Sequence, residues 1–222
     1  MTDLSAEDYL HLLPARAQYR GSHLEGEIEI IEADNSEIGD DNTAIGVVYQ
    51  DPYLAVVRDR VRFPSGNAGT YLRVFEQPWQ AWPVGIVVLP IYEGRVLLLR
   101  IFRHATRQWE YELPRGYRDR DEDVAQAITR EIAEEVGMKV IRMQTLGNIR
   151  PNTGLLASEV LAVVAEVALT TSQTGRENDE AIKEVVVRST VDIQEMVRRG
   201  ELRDSFTLAA LYLAAVAGVI LK

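Results

Sequence analysis

The sequence predicts an α/β fold, a sandwich of helices around a mixed sheet, preceded by a small β-rich domain. Three observations carry this expectation. Residues 24–77 alternate apolar and polar residues as half-buried strands do. Residues 84–91 and 95–102 are nearly continuous apolar runs, as strands covered on both faces require. Helical spacing then takes over after residue 121, and strands with interspersed helices form layered α/β domains. The composition change at Gln77-Pro78 places the domains at residues 1–80 and 81–222.

Taken in order, residues 5–13 read as a short helix that Pro14 ends. The stretch EGEIEIIE (25–32) reads as a strand and SEIGDDNTAIG (36–46) as a loop rich in turn formers. YLAVVRDRVRF (53–63), the turn Pro64-Ser65-Gly66-Asn67 and GTYLRVFEQ (69–77) make a hairpin. VGIVVLPI and RVLLLRIF are joined by Tyr92-Glu93-Gly94, and a third strand, WEYEL (109–113), leads to Pro114-Arg115-Gly116. A helix is expected from Asp121 to Val136, with Gly137 as its C-terminal cap. Strands follow over 139–147, 158–168 and 182–188, and helices over 190–199 and 204–221. The run FTLAALYLAAVAGVIL (206–221) is rich in Ala and shorter than the roughly 20 residues of a membrane span, so it reads as a buried helix capped by Asp204 or Ser205.

Composition narrows the function. The 222 residues are 46% hydrophobic and 26% charged, which is globular. Lys and Arg total 24 against 34 Asp and Glu, a net charge of −10 that argues against nucleic-acid binding. An anionic small molecule then needs metal ions or a local arginine cluster to hold it. The chain has no cysteine, which excludes disulfides, thiolate zinc sites and cysteine nucleophiles. With the acidic start and no export signal, this gives a cytoplasmic expectation.

Chemistry concentrates after Gly116. At about 100° per residue, Glu131, Glu134 and Glu135 share one helix face within about a 100° arc. Val124, Ala127, Ile128, Ile132 and Val136 occupy the other side and can pack on a sheet. Three clustered carboxylates repel one another, and a hard divalent cation such as Mg²⁺ or Mn²⁺ removes that repulsion. Arg130 and Glu122 are placed to bridge and hold the preceding loop against the helix. The histidines (His11, His23, His104) lack metal-ligand spacing, and neither a P-loop nor a local Ser-His-Asp signature is present.

Gly116, Glu122, Arg130, Glu131, Ile132, Glu134, Glu135, Gly137 and Met138 match the Nudix box, Gly-x5-Glu-x7-Arg-Glu-U-x-Glu-Glu-x-Gly-U with U aliphatic, at every specified position. The resemblance implies the Nudix α/β/α sandwich and Mg²⁺-dependent hydrolysis of a nucleoside diphosphate linked to another moiety. Phe102-Arg103-His104-Ala105, the WEYELP stretch from Trp109 and Gly200 to Leu211 further resemble the ADP-ribose pyrophosphatase branch, whose N-terminal sheet builds a homodimer. By position, Glu131 and Glu135 are then metal ligands, with Glu134 and the carbonyl of Arg115 beside them, and Arg103 helps hold the substrate. An acidic loop before a late strand supplies another ligand and a general base: Glu180 by its distance from Ile182, Glu177 if the loop carries an insertion, with Asp179 between them. The chain has Arg115 where family members commonly have Ala, and Arg150-Pro151-Asn152-Thr153-Gly154 where they carry a Ser-Pro-Gly-like loop.

Trp79 and Trp82 at the domain boundary are candidates to stack a purine, with packing as the competing role. Trp109 reads as core. ADP-ribose is the expected substrate; nucleotide sugars and dinucleoside polyphosphates are the enzymatic alternatives, and non-catalytic ADP-ribose recognition is the alternative of another class. A homodimer through the N-terminal domain is expected, because residues 24–77 hold too few strands to cover both faces of a sheet.

Overall fold

Alternation inside the two apolar runs builds the larger part of the molecule. The computed structural model describes residues 27–31, 45–76, 85–119, 121–170 and 181–220. The helix expected over 5–13 and the Gln77-Pro78 boundary lie outside them. Contacts divide the chain into two compact units, Met1–Ala81 with Asn152–Ser158, and Trp82–Pro151 with Glu159–Lys222.

In the second unit, β5 (Gly85–Tyr92), β6 (Arg95–Arg103), β7 (Gln108–Glu112), β8 (Arg115–Tyr117), β9 (Met138–Ile149), β10 (Val160–Leu169) and β11 (Ile182–Arg188) form a seven-stranded sheet. Its main path runs β11-β6-β5-β10-β9, with β10 parallel to β5 and the other pairs antiparallel, so the sheet is mixed as expected. Period two sends alternate residues to opposite faces. Ile86, Val88, Leu97, Leu99, Val163 and Ala165 pack with Ala127, Ile128, Ile132 and Val136 of the helical segment after residue 123. Val87, Leu89, Val96, Leu98, Ala162 and Val164 pack with Ile193 and Met196 of α2 (Thr190–Arg198) and Ala210, Leu211 and Ala214 of α3 (Ser205–Val216). That is why the runs are apolar throughout: both faces are covered.

The helix expected to end at Val136 changes character. α1 (Val124–Glu131) is regular and carries an Asp123–Gln126 capping box, with reciprocal 2.8 Å bonds between side chain and backbone. Ile132–Val136 then form a π-turn, in which the Gly137 N–H reaches the carbonyl of Ile132 at 3.1 Å. Gly137 ends it at φ 75°, a conformation other residues adopt only with strain. Asp204 caps α3, which stops at Val216 rather than 221. Only one side of α3 is buried, since Tyr212 and Val216 are about 70% exposed. Among the described residues no helix is long and apolar enough to cross a membrane.

The first unit holds β1 (Glu29–Ile30), β2 (Gly46–Gln50), β3 (Leu54–Arg62) and β4 (Ala68–Glu76). The hairpin β3–β4 is as expected, paired from Leu54↔Glu76 to Arg62↔Ala68. β2 was not anticipated from GVVYQ; it pairs with β3, as β1 does further along the same edge. Asp59, buried in β3, is gripped by Arg73 of β4 from Nε and Nη2. The segment Asn152–Ser158, from between β9 and β10, lies along β4: the Val74 N–H donates to the Leu155 carbonyl (2.8 Å), the Ala157 N–H to that of Val74 (2.9 Å), and the Tyr71 hydroxyl to that of Gly154 (3.0 Å).

Candidate active site

A fork in the sheet positions the box. β5 and β6 pair only near their turn, at Ile91↔Val96 and Tyr92↔Arg95, and then diverge. Residues 108–117 fill the gap: β7 pairs with β6 from Arg103↔Gln108 to Leu99↔Glu112, and β8 pairs with β5 from Val87↔Arg115 to Gly85↔Tyr117. The chain crosses from one arm to the other at Leu113 and Pro114, where the Val88 N–H donates to the Pro114 carbonyl (2.9 Å) and the Leu113 N–H to buried Thr207 Oγ1 (3.0 Å). The Arg115–Tyr117 backbone, expected as loop, is thereby fixed in the sheet facing the helical segment.

Two carboxylates lie against it. Glu131 and Glu135 are 7% and 4% exposed, whereas the Glu134 side chain is 34% exposed. Glu135 Oε2 accepts the Arg115 N–H at 3.2 Å. Glu131 occupies the space a side chain at Gly116 would need: an added Cβ would stand 1.9 Å from its Oε1. Glycine is required here for close approach rather than for an unusual φ.

Arg130 organises the rest, and the anticipated bridge to Glu122 is present. Its Nε and Nη2 donate to the two oxygens of Glu122, both at 3.0 Å, and Nη2 also donates to the Tyr117 carbonyl at 2.9 Å. Nη1 donates to Glu131 (2.8 Å) and Glu134 (3.1 Å). These contacts engage all five N–H donors of the guanidinium and tie the loop, the helix and the carboxylate face into one assembly.

Pairing with Arg130 holds the Glu122 carboxyl below its ordinary value of 4.5; burial opposes the shift and the Asp119 N–H adds to it. The same bond raises the Arg130 guanidinium above its ordinary value. A carboxyl with a lowered folded-state pKa contributes stability that is full above about pH 4.5 and lost as pH falls through that lowered value. Glu122→Gln is therefore expected to cost about 2 kcal/mol at neutral pH, the range for a hydrogen-bonded charge. The gap from wild type should close on acidification, and denaturant titrations at pH 7 and about pH 3.5 measure it. A gap independent of pH would refute this account.

Arg103, at the end of β6, grips buried Glu112 with bonds of 3.1 and 3.0 Å from Nε and 2.7 Å from Nη2. Arg115 Nη2 reaches the same carboxylate at 3.0 Å. Arg115 thus joins the acidic face, through its backbone, to the arginine pair, through its side chain. Glu112 escaped sequence reasoning; the available signal was its spacing three residues before Arg115, next to the apolar Leu113-Pro114. Trp109, expected in the core, is 44% exposed near the β6–β7 turn, with its ring edge-on to Phe102 at 5.5 Å. Trp79, Trp82, Glu177, Asp179 and Glu180 lie outside the described residues.

Among the described residues no three acidic or histidine side chains converge closely enough to hold a metal ion. The donor chemistry nevertheless fits a hard divalent cation. Glu131 and Glu135 present carboxylate oxygens from one buried patch, and Gly116 leaves open the space their approach to the backbone requires.

The sequence profile of the NUDIX domain matches residues 81–210, more than half of the chain. No curated protein matches it in sequence. A solved structure of an ADP compounds hydrolase superposes with a TM-score of 0.66 at 20% identity, covering 80% of this chain and 95% of its own, which establishes a shared fold. With the complete box seated on the fork of the sheet, the chain belongs to the Nudix hydrolase family.

Proposed function

We propose that the protein hydrolyses the pyrophosphate bond of a nucleoside diphosphate linked to another moiety, converting ADP-ribose to AMP and ribose 5-phosphate. The observation that carries this reading is the pair of buried carboxylates, Glu131 and Glu135, set against a glycine backbone within a complete Nudix box. The name of the structural neighbour, ADP compounds hydrolase, supports the substrate class. The likeness of Arg103 and its surroundings to the ADP-ribose pyrophosphatase branch supports the particular substrate.

In this reaction a water oxygen bonds to one phosphorus, that phosphorus releases the bridging oxygen, and the bridging oxygen leaves with the other phosphate. Glu131 and Glu135 would hold Mg²⁺ or, in its place, Mn²⁺, with Glu134 and the Arg115 carbonyl beside them. When bound, the cation supplies neutralisation of the diphosphate charge and a lowered pKa for its water. Arg130 keeps Glu131 and Glu134 in register and offsets their repulsion. Arg103 binds anionic oxygens of the substrate. Glu180, or Glu177 in its stead, accepts the proton of the attacking water, and Trp79 and Trp82 stack the nucleobase.

A panel of ADP-ribose, NADH, ADP-glucose, GDP-mannose and diadenosine polyphosphates, assayed with Mg²⁺ for phosphate monoester products, tests the reading. ADP-ribose is expected to give the highest kcat/KM; a higher value for GDP-mannose or a dinucleoside polyphosphate would overturn the assignment. The same reading makes residues 1–80 a dimerisation domain, residues 81–222 the hydrolase domain, and the protein a cytoplasmic homodimer. Light scattering should return twice the chain mass at micromolar concentration, and a monomer would refute the dimer.

A further inference from the structure

Glu112 is 2% exposed, and a carboxylate so far removed from water is strongly destabilised when its cationic partner leaves. Here two guanidinium groups converge on it, and they are anchored differently. Arg115 is held from several sides: its Nη2 lies 3.0 Å from Glu112 Oε2, its Nη1 3.9 Å from Asp204 Oδ1, and its guanidinium carbon 4.8 Å from the centroid of the Phe206 ring. Asp204 is itself fixed as the cap of α3, accepting from the Thr207 N–H and hydroxyl, both at 2.8 Å. Arg103 stands at the end of β6, just before the turn His104–Arg107.

We infer that Arg115 is a positioning residue, whose charge keeps Glu112 paired while Arg103 turns from that carboxylate to a phosphoryl oxygen of the substrate. The inference rests on the diphosphate reading of the site. With one arginine, binding substrate would strip the buried carboxylate of its cation, and Arg103 would stay where it is. With two, Arg103 exchanges one oxyanion for another while Arg115, stacked on Phe206 and flanked by Asp204, remains in place. The position commonly filled by Ala in the family thus does specific work here through its side chain, apart from the backbone atoms it shares with Ala.

The test is Arg115→Ala, followed by steady-state kinetics on ADP-ribose with Mg²⁺ and by calorimetric binding of ADP-ribose in EDTA. KM and the metal-free Kd should both rise about tenfold while kcat falls less than about twofold, the pattern of lost uniform binding. Arg115→Lys should recover part of the loss. Adding Glu112→Gln to Arg115→Ala should recover most of it, because the neutral amide no longer retains Arg103. If Arg115→Ala does not fold, Arg115→Gln, which keeps the first part of the aliphatic stem without the charge, carries the same measurements. KM and Kd within twofold of wild type, a loss confined to kcat, or no recovery in the double variant would each overturn the inference. A wild-type protein that cleaves no member of the panel would overturn the functional reading instead.

Discussion

A Gly116→Ala protein is expected to fold, to be less stable, and to lose its affinity for divalent cations. The methyl group would stand 1.9 Å from Oε1, 2.3 Å from Cδ and 2.6 Å from Oε2 of Glu131, so one of the two must move. The Gly116 backbone is paired to Ile86 within the sheet, whereas the Glu131 carboxylate is the end of a side chain. Glu131 therefore yields, and its bond to Arg130 goes with it. Overpacking of this kind costs about 1–3 kcal/mol. If Glu131 is a ligand, displacing it should weaken Mn²⁺ binding by at least about 100-fold, since even the partners behind a ligand are worth 10–100-fold. Denaturant titration and calorimetry with Mn²⁺ separate the two effects. Wild-type Mn²⁺ affinity in a folded Gly116→Ala protein would remove Glu131 from the metal site.

Glu135→Gln addresses the other buried carboxylate and should leave stability nearly untouched. The amide oxygen can still accept the Arg115 N–H, so the change should lie within about 1 kcal/mol. What disappears is the negative charge. If the charge serves a cation that stabilises the transition state by several kcal/mol, turnover should fall by about three orders of magnitude. The required Mg²⁺ concentration should rise in parallel. Near wild-type turnover together with unchanged Mg²⁺ dependence would show that Glu135 is a structural acid, holding the β8 backbone and nothing more.

Much of this was legible because it repeats in the sequence at short range. Residues 86–89 and 96–99 alternate between two cores, and their uniform apolarity announced a sheet covered on both faces. The spacing from Gly116 to Met138 announced the acidic face and the Arg130–Glu122 bridge. What stayed hidden depends on topology. Nothing local to Arg115–Tyr117 says that β5 and β6 separate and leave a slot for them. Glu112 looks like any charged residue in a strand until the fork brings Arg103 and Arg115 to it from either side. The π-turn over Ile132–Val136 differs from an α-helical turn by one residue in its hydrogen bonding, too little for five residues of apolar spacing to disclose. Trp109 misled because a large aromatic side chain is usually buried, and here it sits beside a turn.

The strip of residues 152–158 along β4 has a consequence for synthesis. Tyr71 waits for Gly154, 83 residues later in the chain, and Glu76 for Ser158, 82 residues later. At the usual 5–20 residues per second, the ribosome needs about 4–16 s to make up that interval. Throughout it the emerging hairpin lacks the covering for that stretch of its outer edge, the kind of edge that recruits foreign strands. The nascent chain therefore passes through a window of vulnerability that closes only after α1 has left the ribosome. The first unit is completed by a strip that the chain carries between β9 and β10, so it cannot be finished in the order in which it is translated.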